Sequence, residues 1–111
     1  MNREPETTSR DALLALLSAH IGVGNGVTAD DLASLLGLLP RQVRSLITRL
    51  RLDGVAVCAT PERGYFIAAS GEELESTCQF LRGRAMHSLV LEARLRKTTL
   101  ADLIGQLRLP T

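Results

Sequence analysis

Aromatic residues are scarce in this chain of 111 residues, which has no Trp, one Tyr and two Phe. Proteins that bind single-stranded nucleic acid usually stack the bases on exposed aromatic rings. The composition therefore argues against such a stacking surface. Leucine is abundant instead, which favours an aliphatic and mostly helical core in one domain.

Cysteine is also rare, and Cys58 and Cys78 lie too far apart to form a CxxC unit. We expect two reduced, buried thiols. Neither His20 nor His87 has the spacing of a zinc ligand or of a base beside a Ser or Cys nucleophile. The sequence therefore predicts no enzyme activity, no metal and no cofactor.

Long apolar runs are absent, since no stretch approaches the roughly 18 residues of a membrane span. The beginning, MNREPETTSR, is polar and contains acids, unlike a secretory signal peptide. We expect a cytoplasmic protein without a membrane partner.

The net charge is only +1, but the charges are unevenly distributed. Residues 41–51 hold four arginines and no acid, and residues 82–97 hold five basic residues against Glu92. The other acids lie elsewhere, at positions such as Asp30, Asp31 and Glu72. This asymmetry indicates one surface that faces a polyanion, and it argues against a nonspecific DNA-coating protein.

The stretch 38–52, LLPRQVRSLITRLRL, predicts a helix with one apolar and one basic face. Its apolar residues recur at the i, i+3, i+4 and i+7 spacing of one helical stripe. They are Val43, Leu46, Ile47 and Leu50. The opposite face carries arginine, serine and threonine, which is typical of a helix that contacts DNA.

The preceding residues predict a second, shorter helix. Thr28 and Asp31 form a capping pattern, Gly37 suits a left-handed helix end, and Pro40 suits the first position of the next helix. An earlier helix is expected from Arg10 to about His20, with Ser9 as its cap. The glycines of GVGNG (22–26) do not follow a strand and lack a Gly-Lys-Ser/Thr ending, so we interpret them as a helix exit leading to a short strand near Val27.

Residues 29–50 resemble the helix-turn-helix of DNA-binding regulators. The resemblance rests on seven positions, Leu32, Ala33, Leu36, Gly37, Leu38, Val43 and Leu46. Such motifs often place Ser or Thr just before the second helix to reach a phosphate. Leu39 stands there, so no phosphate contact is expected from this position.

Two short β-branched or aromatic stretches follow, 55–60 and 65–69, separated by the turn PERG. They predict a hairpin, and a helix-turn-helix followed by a hairpin is the winged-helix order. Arg63 at the tip is either a contact to DNA or a solvated charge beside Glu62.

Ser70 and Glu73 predict the start of a long helix reaching about Arg96, followed by a short helix over 100–107. The expected fold is mainly α with a β-hairpin wing, divided into a flexible leader (1–8), a winged helix-turn-helix (9–69) and a C-terminal helical extension (70–111). The apolar stripe of the long helix is broad. It indicates either packing within one chain or a homodimer through residues 74–107.

The stretch 38–89 is similar to small winged-helix proteins of phages and prophages, through the block ending in LRLDG, the hairpin ending in GYFIA, and the EEL helix leading to RGRAM. The resemblance covers roughly residues 28–97. This resemblance implies binding to double-stranded DNA in a bacterial host cell, and a transcriptional regulator is the expected role. The alternative is a winged-helix module that binds a protein partner in a replication or regulatory complex.

For DNA binding, the helix from Pro40 would enter the major groove. Arginine suits guanine and glutamine suits adenine, whereas other polar residues hold phosphates. The candidates for base edges are Arg41, Gln42, Arg44 and Ser45. The candidates for phosphates are Thr48, Arg49 and Arg51, with Arg63 approaching the flanking backbone or minor groove.

Overall fold

Helices and one antiparallel β-hairpin make up the part of the chain that the computed structural model describes, residues 5–107. The elements are α1 (Pro5–Leu17), α2 (Ala29–Leu36), α3 (Pro40–Leu52), β1 (Val57–Thr60), β2 (Gly64–Ile67), α4 (Gly71–Leu95) and α5 (Leu100–Leu107), with a 3₁₀ turn at Val23–Asn25. The expectation of a mainly helical chain with a hairpin is confirmed. None of these helices is both long and apolar enough to cross a membrane.

The chain divides into two compact units, Met1–Thr77 and Cys78–Thr111. This division lies eight residues beyond the boundary at 69/70 that the sequence indicates. The reason is that the first two turns of α4 are bonded to the hairpin. The buried Thr77 hydroxyl accepts the Ala59 amide at 3.4 Å.

In the first unit, the connection between α2 and α3 is fixed by local bonds. The Thr28 hydroxyl accepts the Asp31 amide at 3.1 Å and so caps α2, as predicted. Gly37 adopts φ 68° and ψ 34°, and the Leu38 amide donates to the Ala33 carbonyl, which ends α2 in a Schellman motif. Pro40 then begins α3 at its first turn, as predicted.

The core of the first unit lies between α1, α2, α3 and the start of β1. The sequence predicts one apolar stripe on α3, and its four side chains are all buried. They are Val43, Leu46, Ile47 and Leu50. They join Leu13 and Leu17 of α1 and Leu32 of α2 in one cluster. Ala33, only 3% exposed, is small enough to let the two helices approach.

The loop between α1 and α2 pairs with β2. Val27 and Tyr65 exchange two backbone hydrogen bonds of 2.7 and 2.8 Å, in agreement with the expected short strand near Val27. The glycines permit this close approach, because a Cβ at Gly26 would collide with the Arg63 carbonyl oxygen. The GVGNG segment therefore packs against the hairpin.

Glu73 joins three segments at the start of α4. Its carboxylate accepts the Ala69 amide at 2.8 Å and the Val23 amide at 3.0 Å. Its own amide donates to the Ser70 hydroxyl at 3.2 Å, which is half of the predicted capping box. The two amide bonds stabilise the ionised carboxylate, so they lower the pKa of Glu73 below its ordinary value.

In the second unit, α4 ends in a Schellman motif without glycine. Lys97 adopts φ 56°, and the Thr98 amide donates to the Ala93 carbonyl at 2.9 Å. Ala93 and Leu103 are buried in the chain itself, so Leu103 is covered without a second copy. Other apolar side chains of this unit are exposed, including Phe80, Leu91 and Leu95.

Several predicted boundaries differ from the structure. The prediction that Ser9 caps α1 is wrong, because the helix begins at Pro5, a residue whose fixed φ suits a first turn. The same helix ends at Leu17, three residues before His20. The strands are shorter than expected, at four residues each. Residues 1–4 of the predicted leader, and Pro110 beyond the last helix, lie outside the described residues.

We predict that Gly37→Ala lowers the free energy of unfolding by about 1–2 kcal/mol, because an L residue is strained in the left-handed region. Open space surrounds this position, so backbone strain alone produces the loss. Denaturant unfolding measures it. Gly24→Ala is the matched control, since Gly24 is equally open and lacks a positive φ. A Gly37→Ala protein as stable as the control would contradict the prediction.

We also predict an acid-dependent stability carried by Glu73. Its folded pKa is lower than the unfolded value, so its contribution is present above about pH 4.5 and is lost as the pH falls through the folded pKa. Glu73→Gln should lower the midpoint of thermal unfolding at pH 7 and flatten its decrease below pH 4.5.

Glu72→Gln provides the control, because Glu72 accepts neither amide bond yet carries the same charge. Thermal melts of the three proteins between pH 7 and pH 3 make the comparison. Parallel pH profiles for the wild type and Glu73→Gln would refute the proposed role of the carboxylate.

Candidate nucleic-acid interface

The α3 helix presents one buried and one exposed face. Four apolar side chains point into the core, and the polar residues between them stay in water. The exposed members are Arg41, Gln42, Arg44, Ser45, Thr48 and Arg49. The burial of the apolar face fixes the rotation of the helix, so its polar face is held on the surface.

Arg41 and Arg44 are the least committed of these residues. Within residues 5–107, neither side chain makes a hydrogen bond or an ion pair. Each guanidinium retains its full set of donors in a planar group that suits bidentate acceptors such as phosphate or guanine. These two residues have the greatest capacity to bind an anionic ligand.

Ser45 and Thr48 use their hydroxyl protons within the helix. Ser45 Oγ donates to the Arg41 carbonyl and Thr48 Oγ1 to the Arg44 carbonyl, each at 3.2 Å. In this arrangement both hydroxyls still have lone pairs to accept a bond. To donate to a phosphate, either side chain must first give up its bond to the helix backbone.

Gln42 caps the helix on which it lies. Its Oε1 accepts the Leu39 amide at 2.8 Å. The amide nitrogen of the side chain keeps its donors, but the oxygen that adenine recognition requires is already bonded. The sequence did not predict this bond, although a Gln three residues after a helix cap is a recognised signal.

Arg51 stabilises the fold as well. Its Nε donates to the Val57 carbonyl at 2.8 Å, which joins the end of α3 to β1. Arg51 is half-buried, whereas Arg41, Arg44 and Arg49 are exposed. Arg49 is exposed and lies near the C-terminal end of the polar face.

Arg63 lies in the exposed turn between β1 and β2. Its amide donates to the Thr60 hydroxyl at 3.0 Å, and its backbone packs on Gly26. The turn is thus supported from two sides while the side chain points into solvent. Both interpretations of Arg63, a contact to DNA and a solvated charge, agree with this placement.

Asp53 is the acid closest in sequence to the basic helix, and it pairs with Arg10 of α1. Arg10 Nε donates to its carboxylate at 2.8 Å, and this hydrogen bond raises the pKa of Arg10. Arg10 also pairs with Asp11 at 3.2 Å, so one positive charge is shared between two acids. No local pattern predicts the bond to Asp53, because the partners are 43 positions apart.

The expectation of two buried thiols holds for Cys58 and is wrong for Cys78, which is exposed because the face of α4 that carries it is not covered at this position. His20 Nδ1 lies 2.7 Å from the Asn25 carbonyl oxygen, and the Cys58 thiol is buried beside the Glu73 carbonyl. In the described part of the chain, no group of three His, Cys, Asp or Glu side chains is placed to hold a metal ion.

Three leucines of α2, α3 and the turn between them are exposed, and the sequence pattern did not predict this. Leu35 is 66% exposed on α2, and Leu39 and Leu52 flank α3 at 50% and 80%. Their apolar character was visible in the sequence. Their exposure could not be predicted, because the i, i+3, i+4 spacing identifies only the buried face of a single helix.

This chain is partly similar to a known protein with a DDRGK domain. DDRGK domain-containing protein 1 of Drosophila ananassae is 31% identical over 86 residues, which cover 78% of this chain and 28% of that protein. The chain thus corresponds to little more than a quarter of that relative's length. No family model and no solved structure match the chain.

Proposed function

We propose that this chain is a winged helix-turn-helix protein that binds duplex DNA, with α3 in the major groove and the turn at 61–64 as the wing. The observation that carries the proposal is the exposed face of α3, which holds arginines without an acid and is fixed by a buried stripe. A helix of this kind fits the width of the major groove.

The geometry around α3 supports the same proposal. A capped α2, a left-handed Gly37 and a small Ala33 between the helices reproduce the physical requirements of a helix-turn-helix. The hairpin follows α3 directly, and its turn presents Arg63. These features are local, and each one favours the winged-helix interpretation over an unrelated helical bundle.

The contacts divide the candidate residues into two groups. Arg41 and Arg44 are the proposed readers of base edges, since their donors are uncommitted. Ser45, Thr48 and Arg49 are the proposed backbone contacts, with Arg63 at the flanking groove. Gln42 and Arg51 remain at the interface in a lesser role, because each already bonds to the protein.

A transcriptional regulator of a phage or prophage type, acting in the cytoplasm of a bacterial host, is the setting that we propose from the sequence resemblance. A homodimer through residues 74–107 belongs to the same proposal. Its support is the exposed apolar set on α4, Phe80, Leu91 and Leu95. A dimer would place two α3 helices on the two halves of a palindromic site.

A protein-binding module is the second candidate. Leu35 and Leu52 are large, apolar and exposed near the basic face, and apolar contacts surrounded by charge are common in protein interfaces. An acidic partner would then occupy the arginines. Co-purification that resists nuclease and is lost with Arg41→Ala would favour this candidate over DNA.

We predict that Arg44→Ala weakens binding to a duplex selected from a random library by about 1–3 kcal/mol and relaxes its sequence preference, as expected for a lost base contact. Arg49→Ala should instead weaken all duplexes similarly and reduce the slope of log affinity against log salt by about one. Fluorescence anisotropy across a salt series measures both.

Arg96→Ala is the matched control, because this substitution removes the same charge from a residue outside α3 that pairs with Glu92. It should leave the affinity near that of the wild type. If no duplex is enriched, or if binding does not depend on salt, the proposal of DNA binding fails.

Arg51→Ala should behave differently from Arg44→Ala. Loss of the bond to the Val57 carbonyl should lower the free energy of unfolding by about 1 kcal/mol, whereas Arg44→Ala should leave stability unchanged. Urea unfolding of both variants tests this. Equal stability of the two variants would show that the Arg51 bond does not support the fold.

A further inference from the structure

Leu39 is an apolar residue at the position where a helix usually begins with a polar cap. Its side chain is 50% exposed, whereas the adjacent Leu38 packs against the core cluster. The core cluster therefore includes Leu38, whereas half of the Leu39 surface stays in water. This exposed half is available for contact with a ligand.

The backbone at Leu39 is nevertheless well fixed. Gln42 Oε1 accepts the Leu39 amide, and the Leu39 carbonyl accepts the amides of Gln42 and Val43 at 2.9 and 3.2 Å. These bonds hold the Leu39 backbone without a capping hydroxyl at position 39. Its side chain is held at the N-terminal end of α3, two positions before Arg41.

A partner that binds this end of α3 meets an exposed apolar side chain at position 39 and an exposed guanidinium at position 41. The major-groove edge of a base pair is polar except for the C5-methyl group of thymine. The N-terminal residues of a helix in the groove are those that contact base edges. The acid-free arginine face provides the matching charge for the phosphates around such a methyl group.

We infer that Leu39 recognises thymine by packing against its C5-methyl group, and that it contributes sequence preference without a hydrogen bond. This inference rests on the proposed binding of duplex DNA. In this inference, Leu39 contacts a base, whereas Ser or Thr at the same position would contact a phosphate.

Replacement of thymine by deoxyuridine removes only the methyl group and tests the inference directly. A duplex is selected from a random library with the wild-type chain, and each thymine in the enriched site is replaced in turn. We expect one replacement to weaken wild-type binding about fourfold, the value for one buried methyl group. Leu39→Ala should bind the thymine duplex correspondingly less well and should be insensitive to that replacement.

Leu52→Ala is the matched control. Leu52 is an exposed leucine at the opposite end of the same helix, about 20 Å away at 1.5 Å per residue. This variant should retain the wild-type preference for thymine over deoxyuridine. Neither substitution changes a charge, so the salt dependence of binding should be the same for all three proteins.

Two results would overturn the inference while leaving DNA binding intact. One is an enriched site in which no deoxyuridine replacement weakens wild-type binding, and the other is a Leu39→Ala protein that keeps the full preference for thymine. Failure to enrich any duplex would instead refute the proposed function itself, and thymine recognition with it. Thermal melting confirms that both leucine variants are folded.

Discussion

Burial of one stripe on α3 is the constraint from which the rest of the first unit follows. Val43, Leu46, Ile47 and Leu50 are each at most 6% exposed, and they form one cluster with residues of α1, α2 and β1. Removal of such side chains typically costs a few kcal/mol each. Because the stripe occupies one side of the helix, every arginine between its members is directed outward, and the core determines the orientation of the charged face.

A different set of bonds joins the hairpin to α3 and to the segments beside it. Arg51 joins the end of α3 to β1, and the loop before α2 pairs with β2 through Val27. Glu73 then attaches the start of α4 to two backbone amides. These bonds and the close approach that Gly26 and Gly64 allow act together with the burial of Val57 and Phe66 to position the turn at 61–64.

The sequence predicts those structural features whose physical cause is local. The Thr28 cap, the left-handed Gly37 and the start of α3 at Pro40 each depend on residues within a few positions, so their pattern alone identifies them. The roles of Arg10, Arg51 and Glu73 depend on partners brought close by the fold. No local pattern marks an arginine that will bond to a strand carbonyl, and the same side chain therefore qualifies equally well as a phosphate ligand.

The boundary of α1 shows a further limit. Ser9 is a good capping residue, yet the helix continues through it to Pro5, because a cap preference of about 1 kcal/mol is easily outweighed by additional helical turns. Leu39 shows the converse, a poor capping residue at a real helix start. There the Gln42 side chain bonds the Leu39 amide, and the Leu39 carbonyl accepts the amides of Gln42 and Val43. Cap propensities thus describe the side chain of one residue, whereas a helix can also begin through bonds that this side chain does not make.

The low net charge gives the proposed interface its character. With a formal charge of +1, the chain as a whole attracts a polyanion only weakly, so the local field of α3 has to provide the affinity. Arg10 partly offsets the acid next to the helix, because it pairs with Asp53 and also with Asp11. A protein built in this way gains little from nonspecific attraction, and discrimination between sites then depends on short-range contacts of the kind that Arg41, Arg44 and Leu39 are placed to make.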